Sequence, residues 1–122
     1  MSKRGMDMQR IEVMLGEFEL DLVARLGHSK SHSKKTIQNV RGVFLVVRLN
    51  PEDVQRSHLV KWIRGLIHND VSAKTIRNRV SSLRSFFVWL IEIDVLDLDP
   101  TLGLRMPKTK SGPGAGSYTL DE

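Results

Sequence analysis

Apolar residues recur at intervals of three and four along most of this chain, and that spacing predicts amphipathic helices. The first predicted helix covers residues 8–26, and Gly27 follows it as the expected end of the helix. A polar loop is predicted over residues 28–32. The apolar stripe of the first helix consists of Ile11, Met14, Leu15, Phe18, Leu22 and Leu26.

The same spacing predicts two further helices in the middle of the chain. The second should run from Lys34 to Arg48 with Ser33 as its N-cap, before Pro51 interrupts the pattern. Its stripe is Ile37, Val40, Phe44 and Val47. The third should run from Ser57 to His68. Its inward positions are Leu59, Ile63 and either Leu66 or Ile67, with Trp62 on a flank.

The cleanest pattern belongs to a fourth helix, predicted from Ala73 to Ile93 with Ser72 as its N-cap. Its stripe is Ile76, Val80, Leu83, Phe87 and Leu90, whereas Phe86 and Trp89 lie off the stripe's centre, so that one of them could be exposed. A short fifth helix is predicted at Asp99, with Pro100 in its first turn. No strand alternation occurs, so the predicted fold class is all-α, with four or five helices arranged as two helical hairpins.

Composition narrows the classes of protein to consider. The chain has 122 residues, 40% of them hydrophobic, which suits one domain with a real core. A formal net charge of +5 favours a polyanionic partner such as nucleic acid or a membrane surface. There is no cysteine, which excludes disulfides, thiolate metal sites and cysteine nucleophiles. No apolar stretch is long enough for a membrane span and no signal peptide is apparent, so the chain is expected to be cytoplasmic. Of the two polyanions, nucleic acid is the expected partner, and no membrane partner is expected.

Two segments share the pattern Ser-x-Lys-Thr-Ile-x-Asn, at residues 33–39 and 72–78, and each is predicted to begin a helix. Lysine is unfavourable there, because the start of a helix already carries partial positive charge and free N–H groups. Hydroxyls, free N–H groups and lysines together suit a bound phosphate. The alternative is an ordinary solvated surface on which long lysine side chains are tolerated.

Basic residues also follow one flank of each of these helices. With about 100° per residue, Arg84, Arg77 and Lys74 lie about 80°, 100° and 160° from Ile76, and Ser81 lies among them. In the second helix, Lys34 and Arg41 share a side. Such flanks offer charge to phosphates and hydrogen bonds to base edges, although every amphipathic helix has a polar face.

Catalytic patterns are missing from the sequence. His28 and His32 are four residues apart in the predicted loop but have no obvious third ligand, and no metal or other cofactor is expected. The glycine-rich segment at residues 112–116 follows no strand and precedes no helix, so it is interpreted as linker rather than as a phosphate-binding loop.

Residues 72–110 resemble the end of the N-terminal core-binding domain of tyrosine recombinases, the phage-integrase superfamily. The similarity includes a serine-capped helix with threonine in its first turn, then Leu-x-x-Phe-Phe-x-Trp-Leu, and a Pro-Lys ending. The matching residues here are Ser72, Thr75, Leu83, Phe86, Phe87, Trp89, Leu90, Pro100, Pro107 and Lys108. Asp99 stands where the family usually has asparagine. The final "YTLDE" is similar to the start of the family's catalytic domain.

This resemblance implies a SAM-like bundle of two crossed helical hairpins, followed by a flexible C-terminal linker. The expected division is a core-binding domain over residues 1–104 and a linker over 105–122. In the family, the second and fourth helices of this domain face duplex DNA, and a second domain carries the nucleophilic tyrosine and a His-x-x-Arg motif. No His-x-x-Arg occurs here, and the one tyrosine, Tyr118, is not assigned that role. The chain is therefore expected to be a fragment without strand-cleaving activity.

The predicted function is that of a DNA-binding module of a site-specific recombinase, monomeric in isolation and nucleoid-associated, which meets other protomers on DNA. The residues predicted to hold DNA are Lys34, Lys35, Arg41, Lys74, Arg77, Ser81 and Arg84. The alternative is a helical protein-interaction module, an adaptor or inhibitor of a recombinase, because the first helix carries Glu12, Glu17, Glu19 and Asp21 near its apolar stripe. In the family, such surfaces help neighbouring protomers meet. A helix-turn-helix regulator fits less well, since the basic helices are a whole hairpin apart.

Overall fold

The structure, a computed structural model, describes residues 6–107. It contains four α-helices, α1 (Met8–Ala24), α2 (Lys30–Val47), α3 (Arg56–His68) and α4 (Ala73–Glu92), and a short 3-10 turn at Pro51–Asp53. No strand occurs in this part of the chain, and the all-α prediction is confirmed. The glycine-rich segment, Tyr118 and the rest of the predicted linker beyond Pro107 lie outside the described residues.

Helix α1 begins where its sequence offers a cap and ends close to the predicted residue. The Asp7 carboxylate accepts a hydrogen bond from the Arg10 backbone N–H at 3.1 Å. Gly27 adopts the left-handed conformation with φ of 75°, which lets the His28 N–H bond the Leu22 carbonyl at 2.8 Å. The helix proper stops at Ala24, and the placement of Leu26 in the apolar stripe was wrong because its side chain is 48% exposed.

Helix α2 begins one turn earlier than the sequence predicted, so the predicted loop at residues 28–32 was also wrong. Its N-cap is Ser29, whose hydroxyl accepts a hydrogen bond from the His32 N–H at 3.0 Å. Ser33, the predicted cap, lies buried inside the helix, and its hydroxyl donates to the Ser29 carbonyl at 2.9 Å. The two Ser-x-Lys-Thr-Ile-x-Asn segments therefore do not start equivalent helices, and Lys34 and Lys35 lie beyond the first turn.

Replacement of the two serines should separate their roles. Ser29→Ala should lower the free energy of unfolding by about 1 kcal/mol, because it removes the acceptor for a free N–H group. Ser33→Ala should change it by less than about 0.5 kcal/mol, since alanine favours the helix and the Ser29 carbonyl keeps its backbone partner. Urea unfolding followed by circular dichroism measures both. If Ser33→Ala lowered the free energy of unfolding more than Ser29→Ala, the helix would begin after Ser33 and not after Ser29.

The other helix boundaries agree closely with the sequence. Helix α3 begins one residue before the predicted Ser57, and the His58 Nδ1 accepts a hydrogen bond from the Gln55 N–H at 2.9 Å. Helix α4 begins as predicted, with the Ser72 hydroxyl accepting from the Thr75 N–H at 3.1 Å. Leu66 packs against the core, whereas Ile67 is half-exposed.

An aromatic cluster forms the centre of the core. Its members are Phe18, Phe44, Phe86, Phe87 and Trp89, and all five are buried. The Phe86 ring contacts four others, with centroids 5.3 Å from Phe18 and 5.8 Å from Phe44. The prediction that Phe86 or Trp89 could be exposed was wrong, because α1 covers this side of α4. The Trp89 indole N–H donates a hydrogen bond to the Asp21 carboxylate at 2.8 Å.

The predicted fifth helix does not form. The Asp99 carboxylate accepts hydrogen bonds from both the Thr101 N–H at 2.8 Å and its hydroxyl at 2.6 Å, which closes a turn. Gly103 then adopts φ of 80°, and a Cβ atom there would overlap the Arg56 guanidinium. This left-handed residue stops the chain from continuing as a helix. Leu104 and Met106 pack back onto the core.

Helix α2 occupies the middle of the bundle, because it packs against each of the other three helices. Helices α3 and α4 form the second hairpin and also contact each other. Within residues 6–107, no helix combines the length and the apolar character that crossing a membrane would require. The most extensive helix pair is α2 with α4, and these two helices border the candidate site.

Candidate nucleic-acid interface

A polar groove of about 490 Å³ lies between α2 and α4. We call it the α2–α4 groove. Its lining residues are His28, Ser29, Ser31, His32, Lys35, Thr36, Asn39, Asn78, Ser81, Ser82 and Ser85. The amide of Asn39 donates a hydrogen bond to the Ser82 hydroxyl at 3.0 Å, which ties the two helices together at the groove.

The lining of the groove combines hydroxyls, amides, imidazoles and one ammonium group, that of Lys35. Among the residues that the structure describes, this lining contains no carboxylate and no large apolar side chain. Hydroxyls and amides can donate to phosphate oxygens or to acceptor atoms on base edges, and a lysine supplies charge for a phosphate. The groove is therefore chemically suited to a hydrogen-bonding polyanion.

Only two of the seven predicted DNA-binding residues line this groove. Lys35 reaches it from α2 and Ser81 from α4. Lys34 and Arg41 lie on the other side of α2, in a depression that also includes Glu19 of α1. Neighbouring lysines thus face different surroundings, because successive residues of a helix are turned by about 100°.

Arg41 is already paired within the bundle. Its guanidinium forms two hydrogen bonds with the Glu12 carboxylate of α1, at 2.6 and 2.8 Å. These hydrogen bonds lower the pKa of the Glu12 carboxyl and raise the pKa of Arg41, so both groups stay charged near neutral pH. A phosphate that approached Arg41 would have to compete with this bidentate partner.

The three remaining basic residues of the prediction lie along α4. Lys74 and Arg77 are exposed and form no ion pair within residues 6–107. Arg84 is also exposed, and its Nε donates to the Thr101 hydroxyl at 3.4 Å. By helical geometry, Arg77 and Arg84 lie about 40–60° around α4 from Ser81. They border the groove rather than line it.

Several groove residues were missed by reasoning from the sequence. Asn39 and Asn78 close the two Ser-x-Lys-Thr-Ile-x-Asn segments, so the repeat itself carried a signal for them. His28 and His32, considered only as metal ligands, lie with ring centroids 4.9 Å apart, and the buried His28 Nδ1 has no hydrogen-bond partner within residues 6–107. Within residues 6–107, no three histidine, aspartate or glutamate side chains cluster closely enough to hold a metal ion.

Charge is divided unevenly among the helices. Helix α2 carries Lys30, Lys34, Lys35 and Arg41 and no acidic residue. Helix α4 carries Lys74, Arg77, Arg79 and Arg84, and its one acidic residue is Glu92 at its last position. Five acidic residues lie instead in α1 and at its N-cap: Asp7, Glu12, Glu17, Glu19 and Asp21. The α2–α4 groove is consequently bordered by positive charge.

Comparison with known proteins relates this bundle to recombinases. The family described as "Phage integrase, N-terminal SAM-like domain" matches residues 21–93, from the end of α1 to the end of α4. Tyrosine recombinase XerC of Neisseria meningitidis serogroup C is 34% identical over 58 residues, which are 48% of this chain and 19% of that protein. Tyrosine recombinase XerD of Rickettsia prowazekii is 22% identical over 100 residues, 82% of this chain and 30% of that protein.

The matched region thus spans between about a fifth and a third of the length of these curated relatives. No solved structure matches the chain significantly. The family match covers most of the described bundle and includes both helices of the groove. The chain therefore belongs to the family of N-terminal SAM-like domains of phage integrases.

Proposed function

We propose that this chain is a DNA-binding module of a site-specific tyrosine recombinase, and that it holds duplex DNA with the face formed by α2 and α4. One observation carries the proposal. The groove between these helices is lined by hydrogen-bonding groups without a carboxylate, and the helices on either side carry eight basic residues and one acid. Family membership and the relatives named as tyrosine recombinases support it.

The residues divide into two roles under this proposal. Lys35, Lys74, Arg77 and Arg84 contact phosphates, which fix the position of the duplex but carry no sequence information. Ser81, Asn39 and Asn78 offer hydrogen bonds to base edges in the major groove. Lys34 and Arg41 lie on the other side of α2 from the groove, so they contribute charge only at a distance, and Arg41 is partly neutralised by Glu12.

The module supplies binding and no strand cleavage. The sequence contains no His-x-x-Arg motif, so the recombination for which the relatives are named would need catalytic residues from another domain. The module would act where the recombination DNA is, at the nucleoid, beside other recombinase protomers.

The chain should bind a duplex weakly at moderate salt and much more tightly at low salt. Each phosphate contact releases counterions, so the logarithm of the binding constant should fall with the logarithm of salt concentration with a slope of about −0.9 per contact. Four contacts predict a slope between about −3 and −4 for the binding constant, which is measured by fluorescence anisotropy with a labelled duplex. A binding constant that did not change with salt concentration would contradict the proposal. Single-stranded DNA of equal length serves as the control.

A second candidate function is supported by exposed apolar residues on α1. Val13 and Leu20 of α1 are 60% and 70% exposed, which is more apolar surface than a solvated helix needs. A protein-interaction module without DNA binding, such as an adaptor or inhibitor of a recombinase, would use this face. It predicts capture of a purified full-length recombinase together with no anisotropy change on duplex DNA at low salt.

A further inference from the structure

Two imidazole rings lie side by side in the α2–α4 groove. The ring centroids of His28 and His32 are 4.9 Å apart, and the ring planes are tilted by 43°. Both side chains line the groove together with Lys35, which follows His32 by one turn of α2. We call His28 and His32 the imidazole pair. The pair lies where a bound duplex would pass, and each ring can be neutral or positively charged.

The backbone holds the imidazole pair at the groove. Gly27, with φ of 75°, lets the His28 N–H donate to the Leu22 carbonyl at 2.8 Å. The His32 N–H donates to the Ser29 hydroxyl at 3.0 Å, at the N-cap of α2. Both main-chain positions are therefore fixed by hydrogen bonds where α1 gives way to α2, and the two short side chains extend from a defined backbone.

The two histidines are not needed for hydrogen bonds that hold the bundle together. The His28 Nδ1 is buried but bonds to no other group between Met6 and Pro107. His58 provides the contrast, because its Nδ1 accepts a hydrogen bond from the Gln55 N–H at 2.9 Å at the start of α3. A buried polar atom without a partner is costly, and a ligand that bonds the ring can offset this cost. The bonding capacity of His28 is thus left for a ligand.

No acidic group of the described groove lining competes with a ligand for a protonated imidazole. The other titratable group in this lining is Lys35, and α3 contributes no residue. Helix α4 contributes only amides and hydroxyls, those of Asn78, Ser81, Ser82 and Ser85. On the α1 side, the carboxylate nearest in the chain to the pair is that of Asp21, which already bonds Arg25 and Trp89. A positive charge on the pair is therefore available to an anion in the groove.

Histidine is the side chain whose charge normally changes between about pH 5 and 8. Lysine and arginine normally stay charged throughout this range, and so do ionised aspartate and glutamate. The charge that Lys35, Arg77 and Arg84 offer to a duplex is thus nearly constant. Any marked change in the positive charge of the groove across this range has to come from the imidazole pair.

We propose that the imidazole pair binds a DNA phosphate together with a proton, so that the affinity of the chain for duplex DNA rises as the pH falls from about 8 to about 5.5. A protonated ring offers two N–H donors and a full charge, whereas a neutral ring offers one donor. Because the charged form binds phosphate more tightly, binding of phosphate favours the charged form by the same factor. The inference rests on the proposed function and adds control by pH at the same groove.

Fluorescence anisotropy of the full chain with a labelled duplex tests the sign and the size of this effect. The pH is varied from about 8 to about 5.5 at constant ionic strength. Uptake of one proton changes a binding constant by at most about tenfold per pH unit, and uptake is partial over most of the range. The dissociation constant should therefore fall by about tenfold as the pH falls.

Glutamine variants assign the pH dependence to the imidazole pair. Glutamine keeps a polar side chain that does not titrate, so His28→Gln and His32→Gln in one chain should reduce the change in affinity to less than about twofold. The matched control is His68→Gln, because His68 is exposed at the end of α3 and does not line the groove. This control should keep the pH dependence of the unsubstituted chain. Circular dichroism shows whether each variant is folded.

Calorimetry counts the protons directly. The duplex is titrated into the full chain near pH 6.5, in two buffers that differ in ionisation enthalpy. The difference between the two heats gives the number of protons taken up on binding. The unsubstituted chain should take up about half to one proton, and the chain with both glutamine substitutions should take up almost none.

The possible outcomes separate this inference from the proposed function. Duplex binding that is equally tight at both ends of the pH range, without proton uptake, overturns the inference and leaves the proposed function standing. The same holds if the pH dependence persists when both histidines are replaced, because other groups would then cause it. Absence of duplex binding at every pH and at low salt overturns the proposed function and, with it, this inference.

Discussion

Reversal of charge at the α2–α4 groove should weaken DNA binding by one to two orders of magnitude. The variants are Lys35→Glu, from the groove lining, and Arg77→Glu, from its border on α4. Each removes a charge-assisted hydrogen bond worth about 1.5–3 kcal/mol and adds repulsion of a phosphate. Since 1.4 kcal/mol is about tenfold in affinity, each variant should lose about 10- to 100-fold in fluorescence anisotropy at low salt.

The matched control is Lys61→Glu, measured on a duplex that holds a single copy. It changes net charge by the same amount, but Lys61 lies in α3 and does not line the α2–α4 groove. Lys61→Glu should reduce the affinity for DNA only slightly, because it acts on DNA only through the long-range electrostatic field. Equal losses for all three variants would mean that net charge alone attracts DNA and that the groove is not the site.

Arg41→Glu provides a finer comparison. The charge of Arg41 is already balanced by Glu12, so this variant should lose less affinity for DNA than Arg77→Glu.

Phe86→Ala should have the largest effect on stability of any single substitution in the bundle. Phe86 is fully buried, and its ring lies within 6.0 Å, between centroids, of Phe18, Phe44, Phe87 and Trp89. Truncation leaves a cavity where three helices meet and should cost about 3–5 kcal/mol. Because small domains are stable by about 5–15 kcal/mol, a large part of the folding free energy should be lost.

Urea unfolding of the unsubstituted chain and of Phe86→Ala measures this loss of stability. Val88→Ala is the control on the same helix. Val88 is 51% exposed, so its truncation should change the free energy of unfolding by less than about 1 kcal/mol. A loss below about 1 kcal/mol for Phe86→Ala would contradict the packing of the aromatic cluster. Phe86→Leu, which keeps most of the apolar volume, should fall between the two.

Helix α4 shows what local sequence can determine. Ser72 caps it, the apolar stripe repeats with the period of a helix, and its start agrees with the prediction. A serine whose hydroxyl can reach the third N–H group, followed by a single unbroken stripe, leaves little choice of where such a helix begins.

Helix α2 shows where that reasoning fails. Ser29 and Ser33 stand one helical turn apart, and either could cap a helix that carries the same apolar stripe. The choice depends on which serine is buried, and Ser33 lies at 0% exposure inside the bundle. Burial results from packing with other helices, which no local window of sequence contains.

Sequence by itself determined the helical class, the apolar stripes, the excess of basic residues in the second and fourth helices, and the resemblance to recombinases, since each depends on residues close together in the chain. Tertiary structure decided how those residues are shared among surfaces. It placed Lys35 in the α2–α4 groove and Lys34 on the opposite side of α2, paired Arg41 with Glu12, and covered Trp89 with α1. The physical reason is that a groove and an ion pair between helices depend on which faces meet, and that is decided only when all four helices bury their stripes together.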